Sequence, residues 1–377
     1  MKKLLAILLV VLMAFTIVAC DKKPEEPAKT DPVATEPAGD VYKVINLVNG
    51  NLGDKSFFDS AEAGLKKLAD AGRITYETKE MGATDADQPK WQQTINDVAA
   101  EGKYDLIICG TYQMPDYLKE AATAYPDQKF LIYDDTTYVG DNSNVVNVSY
   151  RQNDMGYLIG VFAASMTSQT DVENMNPEKV LGFIGGIDSP VINDFLYGFL
   201  EGAKATDPEI KVDTRYVNSY ADTATAKEMG LAMINDNKVD IIWGVAGLSG
   251  NGGAEAALET GKAWFVGVDS DQELTLSKEL AAITLTSGLK NIGDSLMWIF
   301  DEWDAGRTYW GKEVNLGLPE GGVGIVTDKN FAKYAPQAVQ DKVAEAEKGV
   351  RDGSIKVSSA IGDETDGVVK LRTELQP

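Results

Sequence analysis

From Val41 onward, short runs of apolar and β-branched residues alternate with stretches whose apolar positions recur at helical spacing. VYKVINLVN, ITYETKEM, DLIICG, KFLIYDD and VVNVSY read as strands, and SAEAGLKKLADAG and KWQQTINDVAAEG between them as amphipathic helices. After NDMGYLIGVFAASM, apolar enough all round to be a buried helix, the pattern restarts with VLGFIGGI, IKVDTRYV, DIIWGVA and WFVGVD. A βαβα order calls for parallel sheets covered on both faces, and two runs of similar size predict an α/β molecule of two lobes. The chain closes with an amphipathic stretch, NFAKYAPQAVQDKVAEAEKGV, and a polar tail.

The segment before this pattern is of a different kind. MKKLLAILLVVLMAFTIVAC has a Lys-Lys start, an apolar run from Leu4 to Val18 and a small-residue end, the layout of a secretory signal over residues 1–19. The run is short for a spanning helix. Its ending, IVAC, resembles the bacterial lipobox, which implies cleavage before Cys20 and lipidation of that cysteine. Residues 20–40, rich in Pro, Glu, Lys and Ala, lack the apolar surface to order themselves and are expected to form an extended tether. The folded body would then hang from the extracytoplasmic side of a cell membrane.

Composition narrows the chemistry. A formal net charge of −23 repels nucleic acid and anionic lipid alike, so no nucleic-acid partner is expected. The two cysteines are Cys20 and Cys109; with Cys20 lipidated no internal disulfide can form, and Cys109 in DLIICG reads as a buried strand residue. Histidine is absent, which removes Ser-His-Asp and Cys-His catalysis and the usual zinc sets, and no cofactor or metal is expected. Trp243 and Trp264 read as strand core.

In open α/β sheets ligands lie beyond the carboxyl ends of the strands. Those positions here are Asn51 to Phe58, Asp134 with Asp135, GGIDSP, NSYAD, GVAGLSGNGG and GVDSDQ. The set is rich in Asp, Gly and aromatics and poor in Lys and Arg, which disfavours an anionic ligand and favours a hydroxyl-bearing one with a flat ring. Ser56 and Asp59 have the spacing of a capping box, predicting a helix from Ser56 with Phe57 near the apolar stripe of Ala61, Leu65 and Leu68, and Phe58 turned toward the loop.

GDKSFFDSA, GGIDSPVINDFLYGFLEGA, VAGLSGNG, GVDSDQ and TSGLKNIGDSL, in this order behind a lipobox, resemble the basic membrane protein family, the PnrA-like substrate-binding lipoproteins of nucleoside ABC transporters. The resemblance spans about Val41 to Val350. It implies a bilobed type I periplasmic-binding-protein fold closing on a nucleoside, usually a purine one, and a permease and ATPase as partners. It also implies Asp54, Phe57 and Phe58, Asp134 or its neighbour Asp135, Tyr220 and Gly247 as ligand contacts. Asp269 and Lys290 look like the pair that holds the ribose. Tyr220 stands where the family often has phenylalanine, and Leu248 and Ser249 replace a more usual Gly-Thr.

The expected organisation is lobe 1 over 41–150 plus about 271–323, lobe 2 over 151–270 plus about 324–352, a tail over 353–377, and hinges near Tyr150, Ser270 and Gly324. Two other functions share these features. One is the same fold carrying a sugar or furanoside; the other is an exported nucleoside hydrolase. Against the hydrolase stand the absence of histidine and of a metal-ligand cluster, since DSDQE lacks the glycine that a calcium loop requires.

Overall fold

The computed structural model describes residues 41–377 except 85, 136–141, 363 and 364. The signal sequence, Cys20 and the tether therefore lie outside the described residues. No helix among those described is long and apolar enough to cross a membrane.

The elements run β1 (Tyr42–Val48), α1 (Phe57–Asp70), β2 (Ile74–Glu80), α2 (Gln88–Glu101), β3 (Leu106–Gly110), α3 (Pro115–Ala124), β4 (Lys129–Tyr133) and β5 (Val145–Tyr150). A second series follows: α4 (Gln152–Thr167), β6 (Val180–Gly185), α5 (Pro190–Thr206), β7 (Lys211–Tyr216), α6 (Thr223–Asn237), β8 (Ile241–Val245), α7 (Asn251–Thr260) and β9 (Trp264–Asp269). The chain ends with α8 (Gln272–Thr275), α9 (Lys278–Ala282), β10 (Thr284–Lys290), α10 (Ile292–Asp304), β11 (Lys312–Leu316), β12 (Val323–Ile325), α11 (Lys329–Tyr334), α12 (Gln337–Arg351) and α13 (Thr365–Leu375).

Two six-stranded sheets result, ordered β2-β1-β3-β4-β5-β11 and β7-β6-β8-β9-β10-β12. Every pairing is parallel except that of β10 with β12. The central strands β3, β6 and β8 read as nearly continuous apolar runs because both faces are covered, whereas edge strands such as β2 and β11 are mixed. Cys109 is fully buried in β3, and Trp243 and Trp264 are buried in β8 and β9, as expected. All of α4 is buried except Tyr157. It lies so close to α5 that a Cβ on Gly156 or Gly160 would stand 2.3 or 2.2 Å from a carbonyl of α5, and one on Gly198 or Gly202 would meet α4 in return. Glycine at four reciprocal positions is what permits that approach.

The lobe boundaries differ from those expected. β10 belongs to the second sheet, so the chain crosses at Lys290 and Asn291 rather than at 271, and it returns through residues 317–322 rather than at Gly324. Lobe 1 thus holds β1 to β5, α10 and β11; lobe 2 holds α4 to β10 and everything from β12 onward. Ser270 lies within lobe 2 and is no hinge. The three crossings sit side by side: the Arg151 amide donates to Leu316 O at 2.9 Å, and the Asn291 amide to Gly322 O at 2.9 Å. The Arg151 guanidinium binds Glu320 (2.6 Å), Asp154 (3.2 Å) and Asn315 (3.2 Å).

Residues 353–377 are not a tail. α13 buries Val368 and Leu375 against lobe 2, and the segment before it is tied down by Glu201, whose carboxylate accepts from the Ser358 amide and hydroxyl at 2.9 and 2.7 Å.

Candidate ligand-binding cleft

The carboxyl ends of both sheets face each other across a cleft of about 840 Å³ of non-atom space, counting the part open to solvent. Its walls include all eight residues singled out in the sequence: Asp54, Phe57, Phe58, Asp134, Tyr220, Gly247, Asp269 and Lys290. The turns that bring them there are left-handed at Thr111 (φ 76°), Asp134 (61°), Asn218 (58°), Gly247 (54°) and Asp269 (64°), each at or just past the end of a strand. A strand that must turn away abruptly from the sheet edge uses this conformation, in which Gly, Asn and Asp are least strained.

The capping box does not form. The Ser56 side chain accepts from no helix amide, and α1 begins at Phe57. Asp54 caps it instead, accepting from the amides of Ser56 (3.0 Å), Phe58 (2.8 Å) and Asp59 (3.2 Å), while Asp59 reaches back to the amides of Gly53 (2.7 Å) and Lys55 (3.0 Å). A carboxylate binds several amide donors at once where a hydroxyl binds one, so the aspartate takes the cap. Burial nevertheless raises the Asp54 carboxyl above its ordinary range, with the three amides opposing. Phe57 packs edge-on to Phe58 (ring centroids 5.0 Å apart) and tilts against Tyr133 (5.6 Å), and Phe58 lies over Gly50.

At the floor, Lys290 is 1% exposed. Its ammonium lies 2.5 Å from Asp134 Oδ1 and over the ring of Phe195 at 4.5 Å. Its ion-pair partner is Asp134 of the opposite lobe. Asp134 rather than Asp135 lines the cleft. Burial raises the Asp134 carboxyl, and Lys290 opposes the rise by charge and hydrogen bond. Asp269 Oδ2 accepts from Ser56 Oγ at 3.4 Å, and its Oδ1 is buried without a partner in the protein. Burial pushes this carboxyl up to about 7, against the pull of Lys290 and with the charges of Asp134 and Asp54 adding to the rise.

The mouth is bridged. Tyr112, just past β3 in lobe 1, and Tyr220 in lobe 2 meet hydroxyl to hydroxyl at 2.9 Å. Ser270 Oγ donates to Ser56 O (2.8 Å), and Thr275 Oγ1 and Gln272 Nε2 donate to Lys55 O (2.8 and 3.4 Å). Ser249 Oγ joins the two lobe 2 loops, donating to Ser219 O (3.0 Å) and accepting from the Asp222 amide (2.7 Å). The sequence reading missed Tyr112, Gln113, Asn49 and Phe195, which also line the cleft. The strand-end rule points to Tyr112 and Gln113, which follow β3; nothing in the sequence separates Phe195, on α5, from core. Among the described residues no group of three or more His, Cys, Asp or Glu is placed to hold a metal ion.

Two parallel sheets joined by three adjacent crossings, with a polar and aromatic cleft between their strand ends, define a solute-binding protein of the type I periplasmic fold. Comparison with known proteins gives the family. The model of the family described as ABC transporter substrate-binding protein PnrA-like (Bmp) matches residues 41–358. Basic membrane protein A of Borreliella burgdorferi is 30% identical over 299 residues, 78% of this chain and 82% of that protein. The ABC transporter nucleoside-binding protein BmpA of Lactococcus lactis subsp. cremoris is 28% identical over 370 residues, 95% of this chain and 99% of its own. A solved solute-binding protein of an ABC transporter system from Aeropyrum pernix K1 superposes with a TM-score of 0.77 at 22% identity, over 88% of this chain and 98% of that one. The chain belongs to the Bmp family of ABC transporter substrate-binding proteins.

Proposed function

We propose that this protein captures a nucleoside, with a purine base preferred, between its lobes and delivers it to a permease and its ATPase from a lipid anchor on Cys20. The observation that carries the reading is the unpartnered, buried Asp269 Oδ1 in a cleft lined also by Lys290, Phe57, Phe58 and Tyr220. A vicinal diol offers two donors to one carboxylate, and a flat base gains about 1–3 kcal/mol from stacking on an aromatic ring. Asp269 then receives the ribose hydroxyls, Lys290 donates to a further sugar oxygen while held by Asp134, and Gly247 lets its backbone approach. Asp54 chiefly holds the Phe57-Phe58 turn in place. The name of the Lactococcus lactis relative agrees with this cargo. The protein acts by binding: contacts from both lobes favour the closed state, and the permease reads that state.

The test is to denature the purified protein, identify any released ligand by mass spectrometry, and titrate the refolded protein calorimetrically with guanosine, adenosine, inosine, uridine, ribose and galactose. Recovery and rebinding of a nucleoside supports the reading; response to a free sugar alone overturns the cargo and the roles given to the aromatics.

A further inference from the structure

The residues that follow the family match, which ends at residue 358, include α13, and α13 touches the ligand loops of lobe 2 through one side chain. Arg372 Nη1 donates to Tyr216 OH at 3.1 Å and to Asp188 Oδ2 at 3.3 Å. The Tyr216 hydroxyl donates to Asn193 Oδ1 at 2.5 Å, and Asn193 Nδ2 donates to Asp188 Oδ1 at 2.7 Å. These four side chains close a ring of hydrogen bonds that joins α13, the end of β7, the loop after β6 and the first turn of α5.

That ring lies directly behind the cleft. Tyr216 packs on Gly185, where a Cβ would come within 2.8 Å of its ring, and Tyr220 packs on Gly186, where a Cβ would come within 2.2 Å. The two glycines separate a tyrosine held by α13 from the tyrosine that faces the cleft. Backbone bonds lock the same layer: the Val217 amide donates to Gly185 O at 2.9 Å, and the Asn218 amide to Gly186 O at 2.7 Å. Asp188 is half-exposed, so its ion pair with Arg372 adds little by itself. The geometric constraint on Tyr216 and on the loop matters more.

We propose that α13 is part of the binding machinery, with Arg372 as a positioning residue that sets the loop of residues 185–189 and, through it, the place of Tyr220 in the cleft. The inference rests on the cleft being the ligand site. A second contact in the same last turn of α13 provides a control, because Lys204 of α5 binds Glu374 at 2.5 Å and touches no ligand loop.

The experiment compares the full-length chain in detergent with its Arg372→Ala and Lys204→Ala variants, by amide hydrogen exchange without ligand and by calorimetric titration with guanosine. Arg372→Ala is expected to speed exchange at Val217 and Asn218 while β1 to β5 stay unchanged, and to raise the guanosine Kd roughly two- to thirtyfold, the usual range for coupling through a packed network. Lys204→Ala should leave both as in the wild type. Unchanged exchange at these amides in Arg372→Ala, or faster exchange spread evenly through β8 and β9, overturns the inference. Should the wild type bind none of guanosine, adenosine, inosine and uridine, the nucleoside reading falls, and the exchange data still decide the role of Arg372.

Discussion

Asp269→Asn exchanges a buried carboxylate for a neutral group of the same shape, and at pH 8 its effects on folding and on binding run in opposite directions. Asn is the informative substitution because the backbone here is left-handed (φ 64°), a conformation that Asn tolerates and Ala does not. In the folded protein the carboxyl titrates at about 7 against an ordinary 3.8. The native state therefore holds the proton more tightly, so stability falls as pH rises from about 4 to 7 and stays at its lower level above that. Ionisation in the folded state costs on the order of 4 kcal/mol at pH 8. An amide N–H left without an acceptor costs about 1–3 kcal/mol at either pH, so the variant should gain about 1–3 kcal/mol at pH 8 and lose about 1–3 kcal/mol at pH 4. Calorimetric melting of the ligand-free protein at the two pH values reads this as a rise in Tm of a few degrees at pH 8 and a fall at pH 4. Binding should move the other way. Losing a charged acceptor costs about 2–3 kcal/mol, a thirty- to hundredfold rise in nucleoside Kd. A variant that melts below the wild type at pH 8, or that binds within threefold of it, refutes the placement of Asp269 as a strained acceptor held for the ligand.

Three further outcomes are expected. Because the ligand needs the ionised carboxylate, the wild-type nucleoside Kd should be flat above pH 8 and rise toward tenfold per pH unit below 7, with Asp269→Asn showing no such slope in titrations across pH 5.5–8.5. Tyr112→Phe removes the hydroxyl bridge across the mouth; a loss of about 0.5–1.5 kcal/mol should appear as a severalfold faster dissociation in stopped-flow traces, with Tm unchanged. Asp54→Ala strips the cap from α1 and should lower stability by about 1–2 kcal/mol, read as a lower Tm at pH 7.

The strands of both lobes were legible because parallel strands covered on both faces must be apolar throughout, as LIICG and IIWGV are. β10 was not, and with it went the lobe boundary. Its buried positions include Thr284, Thr286 and Ser287, whose hydroxyls find partners at Leu280 O, Val326 O and the Gln272 amide. Polar residues paired inside a fold look like loop in a sequence. α13 escaped notice for a related reason: a few apolar positions, Val368, Leu371 and Leu375, carry its packing in a stretch that is otherwise polar. The strand-end rule led to most of the cleft-lining residues because it needs only the strands, while Lys290 came from the resemblance. The pairing of Lys290 with Asp134 was not legible, since it joins two lobes across 156 positions of chain and no local pattern records it.

The left-handed turns bear on how such a receptor can drift over generations. At Asp134, Asn218, Gly247 and Asp269 the left-handed backbone favours Gly, Asn and Asp, because other side chains cost about 1–2 kcal/mol there, a cost the fold accepts at Thr111 and Lys55. A lineage can switch a carboxylate to an amide at these positions without that cost, whereas an arginine or a bulky hydrophobe must offset it. New cargo preferences are therefore open mainly at Phe58, Tyr112, Ile192 and Leu248, where the main chain is ordinary and side-chain size is free to vary.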